Sequence, residues 1–130
     1  MKVSELSGEA LDLWVAKAEG HELVTDLEKV GEAAIGIGPA VLFRNESGVL
    51  GLACEGGGGK WNPSIDWARG GQIVDRELIS LCADSLFEDH QLWAARKDGI
   101  FHENGPTALI AAMRCYVASK FGEEVPGSAS

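Results

Sequence analysis

From Gly105 to Gly122 the sequence spells out a helix with both ends marked. Gly105-Pro106 breaks the preceding element and Thr107 can cap the next one. Leu109, Ala112, Met113, Tyr116, Val117 and Phe121 then recur at the helical period. Lys120 falls in the last turn, where the helix dipole favours a cation, and Gly122 is a suitable stop. Arg114 and Lys120 lie off the stripe and are expected on a solvated face. The other strong helix opens the chain. Ser4 or Ser7 can cap it, Leu11, Trp14, Val15 and Ala18 form its stripe, and Gly20 ends it. Glu9, Asp12, Lys17 and Glu19 take its remaining faces. Two apolar stripes at the ends must be covered by what lies between, which reads mainly as strand. The expected fold is therefore α+β: a small, mainly antiparallel sheet with the N-terminal and C-terminal helices packed on it.

The intervening strands are set by turn chemistry. Ala40–Phe43 and Val49–Ala53 flank Asn45-Glu46-Ser47-Gly48, a good turn sequence. Leu92–Arg96 and Ile100–Glu103 flank Asp98-Gly99, the strongest hairpin signal in the chain. Ile73–Glu77 and Ile79–Ala83 read as two short strands or one irregular strand. Residues 21–39 give no clear element before the breaker Gly36-Ile37-Gly38-Pro39. Gly56–Gly59 reads as a flexible connector, and Lys60–Gly71 as an ordered loop carrying Trp61 and Trp67. With 130 residues the chain has room for one core. Residues 1–122 are expected to form a single domain and residues 123–130 a frayed tail.

Composition narrows the function classes. Hydrophobic residues make up 45% and charged residues 24%, which argues against disorder. No apolar run is long enough for a membrane span, and Met1-Lys2-Val3-Ser4-Glu5 begins no signal core, so neither membrane nor secretion is expected. Cys54, Cys82 and Cys115 form no metal-binding spacing and are expected as reduced, mostly buried thiols. The net charge of −9 disfavours long nucleic acids as partners. Residues 60–77 are the exception: Lys60, Arg69 and Arg76 balance Asp66, Asp75 and Glu77.

That neutral island carries the candidate site. Trp61 and Trp67 offer stacking faces, and Asn62, Pro63, Ser64 and Asp66 lie between them. Arg69 or Arg76 can fork onto a phosphate, and Gly70 and Gly71 would let backbone N–H groups approach the same oxygens. Lys60, Glu77 and Arg114 could edge the pocket. The competing reading is a loop pinned to the core by its own tryptophans, with Asp66 capping a turn. Gly56–Gly59 does not make a phosphate loop, because Gly59-Lys60 is followed by Trp61 and Pro63. His21, His90 and His102 have unrelated surroundings, and no serine has an obvious base. Asp66 with Glu77, or Asp75 with Glu77, could hold a metal, but isolated carboxylates are commoner; no catalytic residue, metal or cofactor is assigned. Four tryptophans and a mean hydropathy of +0.00 suggest leftover apolar surface and a homo-oligomer, a dimer being the usual form.

Three stretches together are distinctive: Leu11–Gly20 (LDLWVAKAEG), Trp61–Gly71 (WNPSIDWARGG) and Gly105–Gly122 (GPTALIAAMRCYVASKFG). In these the chain resembles the NinX-like family of small proteins from tailed bacteriophages and prophages. Residues 21–59 do not follow the family pattern, and Gln72 and Ala108 stand where that pattern has proline. The resemblance implies a phage origin and the host bacterial cytoplasm, and no particular reaction. In that setting the leading expectation is an accessory protein that binds and sequesters a small nucleotide-like molecule, such as a host immune signal. One alternative is an acidic antagonist docking on a host protein; another is an enzyme that degrades the same signal.

Overall fold

The computed structural model describes residues 1–56, 58–83 and 93–126. They fall into two compact units, one built from Met1–Ala18 with the chain from Asn62 onward, the other from Glu19–Trp61. The fold is α+β, with two small sheets in place of the one expected.

The first unit is organised around its last helix. Helices α1 (Gly8–Ala18), α3 (Trp67–Arg76) and α4 (Ala108–Phe121) accompany a three-stranded antiparallel sheet, β5 (Ser80–Ala83), β6 (Trp93–Lys97) and β7 (Phe101–Gly105). Helix α4 begins where expected: the Thr107 side chain accepts the Ile110 N–H at 3.1 Å. It ends at Gly122, whose φ of 91° suits the left-handed stop. One side of α4 lies on the sheet, and α1 packs on α4. Covered from both sides, α4 is buried almost all round from Ala108 to Ala118. Arg114 is therefore only 6% exposed, which corrects its expected place on a solvated face. The stripe of α1 is buried at Leu11, Trp14 and Val15 as expected, but Asp12, assigned to a polar face, is buried as well.

The β6–β7 hairpin turns at Asp98 and Gly99, both at positive φ (56° and 68°), and the Ile100 N–H closes it on the Lys97 carbonyl. Leu92, the expected first residue of this hairpin, lies outside the described residues. Residues 73–76, expected as strand, form the second half of α3; only Ser80–Ala83 of that region is strand. Apolar residues here are too few to show a period, and an Asp66 cap suits a turn as well as a helix start. After Gly122 the chain does not run free, as expected of a frayed tail. Glu123 accepts the Val3 N–H, the Val125 N–H reaches Met1, and Val125 is buried. Residues 127–130 lie outside the described residues.

The second unit contains β1 (Glu22–Leu23), α2 (Leu27–Ala34), β2 (Val41–Arg44), β3 (Leu50–Ala53) and β4 (Gly59–Lys60). Its four-stranded sheet runs in the order β1–β2–β3–β4. The β2–β3 hairpin forms at the expected turn, where Asn45 Oδ1 accepts the N–H groups of Ser47 and Val49 at 2.9 and 3.0 Å. Asp26 caps α2 by accepting the Glu28 N–H at 2.9 Å. Val24, Ala33, Val41 and Ala53 form its small core. Among the described glycines of 56–59, Gly59 enters β4, so the run is not wholly a connector.

Candidate functional site

The first unit holds a groove of about 400 Å³ between the start of α3 and the start of α4. Ser64, Ile65 and Trp67 form one wall, Pro106, Thr107, Ala108 and Leu109 the other, and Trp93 of β6 also lines it. The walls are fixed by capping. Asp66 caps α3 through the Ala68 N–H at 2.9 Å, and Thr107 caps α4. Trp67 is the first residue of α3 and is 56% exposed, while Trp93 is half-buried. Among the described residues, none that lines the groove carries a charge.

The tryptophan segment is anchored from below. Asp12 of α1 accepts the Ser64 backbone N–H at 2.8 Å. The Asn62 carbonyl accepts the N–H groups of Ile65 and Asp66, which makes a tight turn before the helix. Pro63 and Ser64 are buried, and the Asn62 Oδ1 is buried with no hydrogen-bond partner among the described residues. Burial lifts the Asp12 carboxyl from its ordinary value to about 6; the Ser64 N–H and hydroxyl oppose that lift, the hydroxyl without good hydrogen-bond geometry.

Several residues expected to share one pocket are dispersed. Trp61 is 5% exposed and packs edge-on against His21, ring centroids 5.2 Å apart, so it offers no open stacking face. Trp61 and Lys60 belong to the second unit, whereas the segment from Asn62 belongs to the first. Gly70 and Gly71 lie inside α3, not in a loop. The Gly70 N–H is spent on the Asp66 carbonyl at 2.8 Å, and a Cβ at Gly70 would strike the Pro63 carbonyl and Leu109. Gly70 thus permits close packing and presents no donor to a ligand. Arg69 follows Trp67 by two helical positions and projects to a different side. Arg76 lies about 13 Å along α3 from Trp67 and on the opposite face. There its Nε meets Glu77 at 2.8 Å and its Nη2 donates to the Tyr116 hydroxyl at 3.2 Å.

The remaining assignments also resolve. Asp66 and Glu77 sit at opposite ends of α3, so they cannot share a metal. Glu77 is held below the usual carboxylate range by the Arg76 hydrogen bond, with Lys97 assisting at 3.6 Å. Arg114 does not line this groove: its Nε donates to the Leu6 carbonyl and its Nη1 to the Asn104 carbonyl, each at 2.8 Å. Of the cysteines, Cys115 is buried and its thiol is pushed up to about 11 by burial, but Cys82 is exposed, against expectation. His90 lies outside the described residues.

The chain matches the family model described as Bacteriophage P22, NinX over residues 2–120. It belongs to the NinX family. The matched range includes residues 21–59, a stretch that by its residues alone does not follow the NinX pattern. No curated protein matches the chain. No described helix is long and apolar enough to cross a membrane.

For this NinX family member, sequence reasoning found Ser64 and Trp67 but missed Ile65, Trp93 and residues 106–109 as partners in one groove. Thr107 was legible as a helix cap. Nothing in the sequence indicated that the capped end stands opposite Trp67, because that depends on how α4 packs. Asp12 gave no signal either, since a buried acid and a surface acid occupy helical positions in the same way.

Proposed function

We propose that this NinX family member captures a small nucleotide-derived molecule by its base, without transforming it, in the cytoplasm of the infected bacterium. Sequestration of a host immune signal is the use that fits a phage setting. The observation that carries the reading is the groove, its described lining without charge, with the exposed Trp67 indole on one wall and the start of α4 on the other. An indole face stacks on a base for about 1–3 kcal/mol. At the start of α4 the N–H groups of Ala108 and Leu109 precede the capped Ile110 and suit a base carbonyl or a phosphate oxygen. Because the described lining is uncharged and the chain carries −9, the base supplies most of the affinity. A nucleoside should then bind about as well as its nucleotide, with little dependence on salt.

The test is tryptophan fluorescence and thermal shift against nucleosides, cyclic nucleotides and ADP-ribose derivatives, with Trp67→Ala as control. Quenching that Trp67→Ala abolishes, with ligand recovered intact after denaturation, supports the reading. Recovery of cleaved ligand would make the protein an enzyme, and no binding across the panel would sink the proposal. A second reading rests on the other unit. Leu27, Ile35 and Ile37 are 81%, 68% and 57% exposed around α2, beside the exposed Glu28 and Glu32. An apolar, acidic face of this kind suits a basic host protein. Leu27→Lys with Ile35→Lys should abolish such an interaction and leave ligand binding unchanged.

A further inference from the structure

Two tryptophans line the groove of the first unit, and each leaves part of its indole uncovered. They come from different elements. Trp67 opens α3, and a Cβ on Gly71, four residues on, would stand 3.4 Å from its Cε3. The indole therefore lies along the first turn of α3.

Trp93 begins β6, the middle strand of its sheet, and pairs with Ala83 on one side and Gly105 on the other. Residues directly opposite in a ladder share a face. A Cβ on Gly105 would strike the Ala111 backbone nitrogen at 2.6 Å, so that face is the one α4 covers. Trp93 thus stands on the α4 side of the groove and Trp67 on the α3 side.

We infer that Trp67 and Trp93 work as a pair, closing on the two faces of one planar base, and that the pair selects purine nucleosides over pyrimidine ones. The inference rests on the reading of the groove as a base site. A single indole discriminates little, because every base has a π-face. A second indole adds a second stacked face, and the gain is larger for a bicyclic base than for a monocyclic one. A helix start and a central strand hold the two side chains on rigid elements, so little ordering entropy is lost when ligand enters. At about 400 Å³ the groove is near the small end of ligand sites, roughly 300–1,000 Å³, which suits one nucleoside and not two linked ones.

Isothermal titration of the full chain with adenosine and guanosine, against uridine and cytidine, reads the selectivity. The purine nucleosides should bind about tenfold tighter. Trp93→Leu keeps an apolar side chain without a π-face. It should weaken the purines about tenfold and bring the two classes close together. Equal or reversed affinity for the two classes overturns the inference, and so does wild-type binding by Trp93→Leu; in both cases capture of a base by Trp67 alone stands. If none of the four nucleosides binds, the reading of the groove fails and this inference with it. If Trp93→Leu does not fold, the wild-type ratio of purine to pyrimidine affinity decides.

Discussion

The Asp12 carboxylate accepts the Ser64 backbone N–H at 2.8 Å, so one buried acid of α1 holds the segment that leads into Trp67. The groove wall therefore depends on a residue that does not line it. Asp12 is 5% exposed, and its charge is resisted by burial.

That resistance has a pH signature. Burial raises the folded pKa from 3.8 to about 6, so the folded state holds this proton more tightly than the unfolded chain. The stabilisation is present below the unfolded value and is lost as pH rises through the folded one. The loss between pH 4 and pH 7 is on the order of 2 kcal/mol. In urea melts wild type should lose this amount relative to Asp12→Asn as pH rises from 4 to 7. Parallel curves would remove Asp12 as the titrating group.

The two glycines of α3 should respond oppositely to alanine. A Cβ at Gly70 meets the Pro63 carbonyl and Leu109, so Gly70→Ala should destabilise by about 1–3 kcal/mol. At Gly71 the nearest atom is Trp67 Cε3 at 3.4 Å, an ordinary contact. Gly71→Ala should gain about 0.5–1 kcal/mol from helix propensity. A loop at this position would give neither result, so the pair of denaturant midpoints tests the helix itself.

Arg114 ties α4 to the Leu6 and Asn104 carbonyls, and Glu103 nearby partly offsets the burial that lowers its pKa. Arg114→Ala should cost about 3 kcal/mol by leaving two carbonyls without donors. Arg114→Lys should recover little, since an ammonium lacks the fork that spans both acceptors. Full recovery by lysine in a thermal melt would mean that charge alone matters.

Leu78 offers a test with the opposite sign. It fills the left-handed position after α3, and the Ile79 N–H reaches back to the Val74 carbonyl at 3.1 Å, as in a glycine-terminated helix. Leu78→Gly should raise stability by about 1 kcal/mol. A loss of similar size would show that the exposed leucine packs on something within its own chain.

The ends of this fold were readable because their signals are local. Thr107, Gly122, Asn45 and Asp98-Gly99 each act within four residues, and each turned out where its chemistry demands. Trp14 and Tyr116, at 3% and 2% exposure, are in the core as their stripes require. The misreadings share a different cause. Arg114 and Asp12 sit on helical faces that would be polar in a two-layer arrangement, but α4 is covered on both sides and draws Arg114 inward. Residues 67–76 hold two adjacent glycines, which disguise a helix whose sequence reason is tight packing on Pro63. The groove required Trp67, Trp93 and Thr107 to meet across intervals of 26 and 14 positions. No periodic or spacing argument reaches that far.

Trp61 and Trp67 are six positions apart in sequence and should behave as different kinds of residue. Trp61 is 5% exposed and meets His21 edge-on, so Trp61→Ala should cost about 3–5 kcal/mol, as truncation of a buried aromatic does. Trp67 is 56% exposed at the start of a capped helix, so Trp67→Ala should change stability by less than about 0.5 kcal/mol. Ligand response should divide the other way. Stacking at the groove quenches Trp67, so a titration with adenosine or a cyclic nucleotide should lose its quench in Trp67→Ala. In Trp67→Phe a weaker stacking face remains, and binding should fall about tenfold, or about 1.4 kcal/mol. If Trp67→Ala binds as wild type does while Trp93→Ala does not, the base lies against β6 rather than α3. If neither substitution alters a measured affinity, the ligand is held outside this groove.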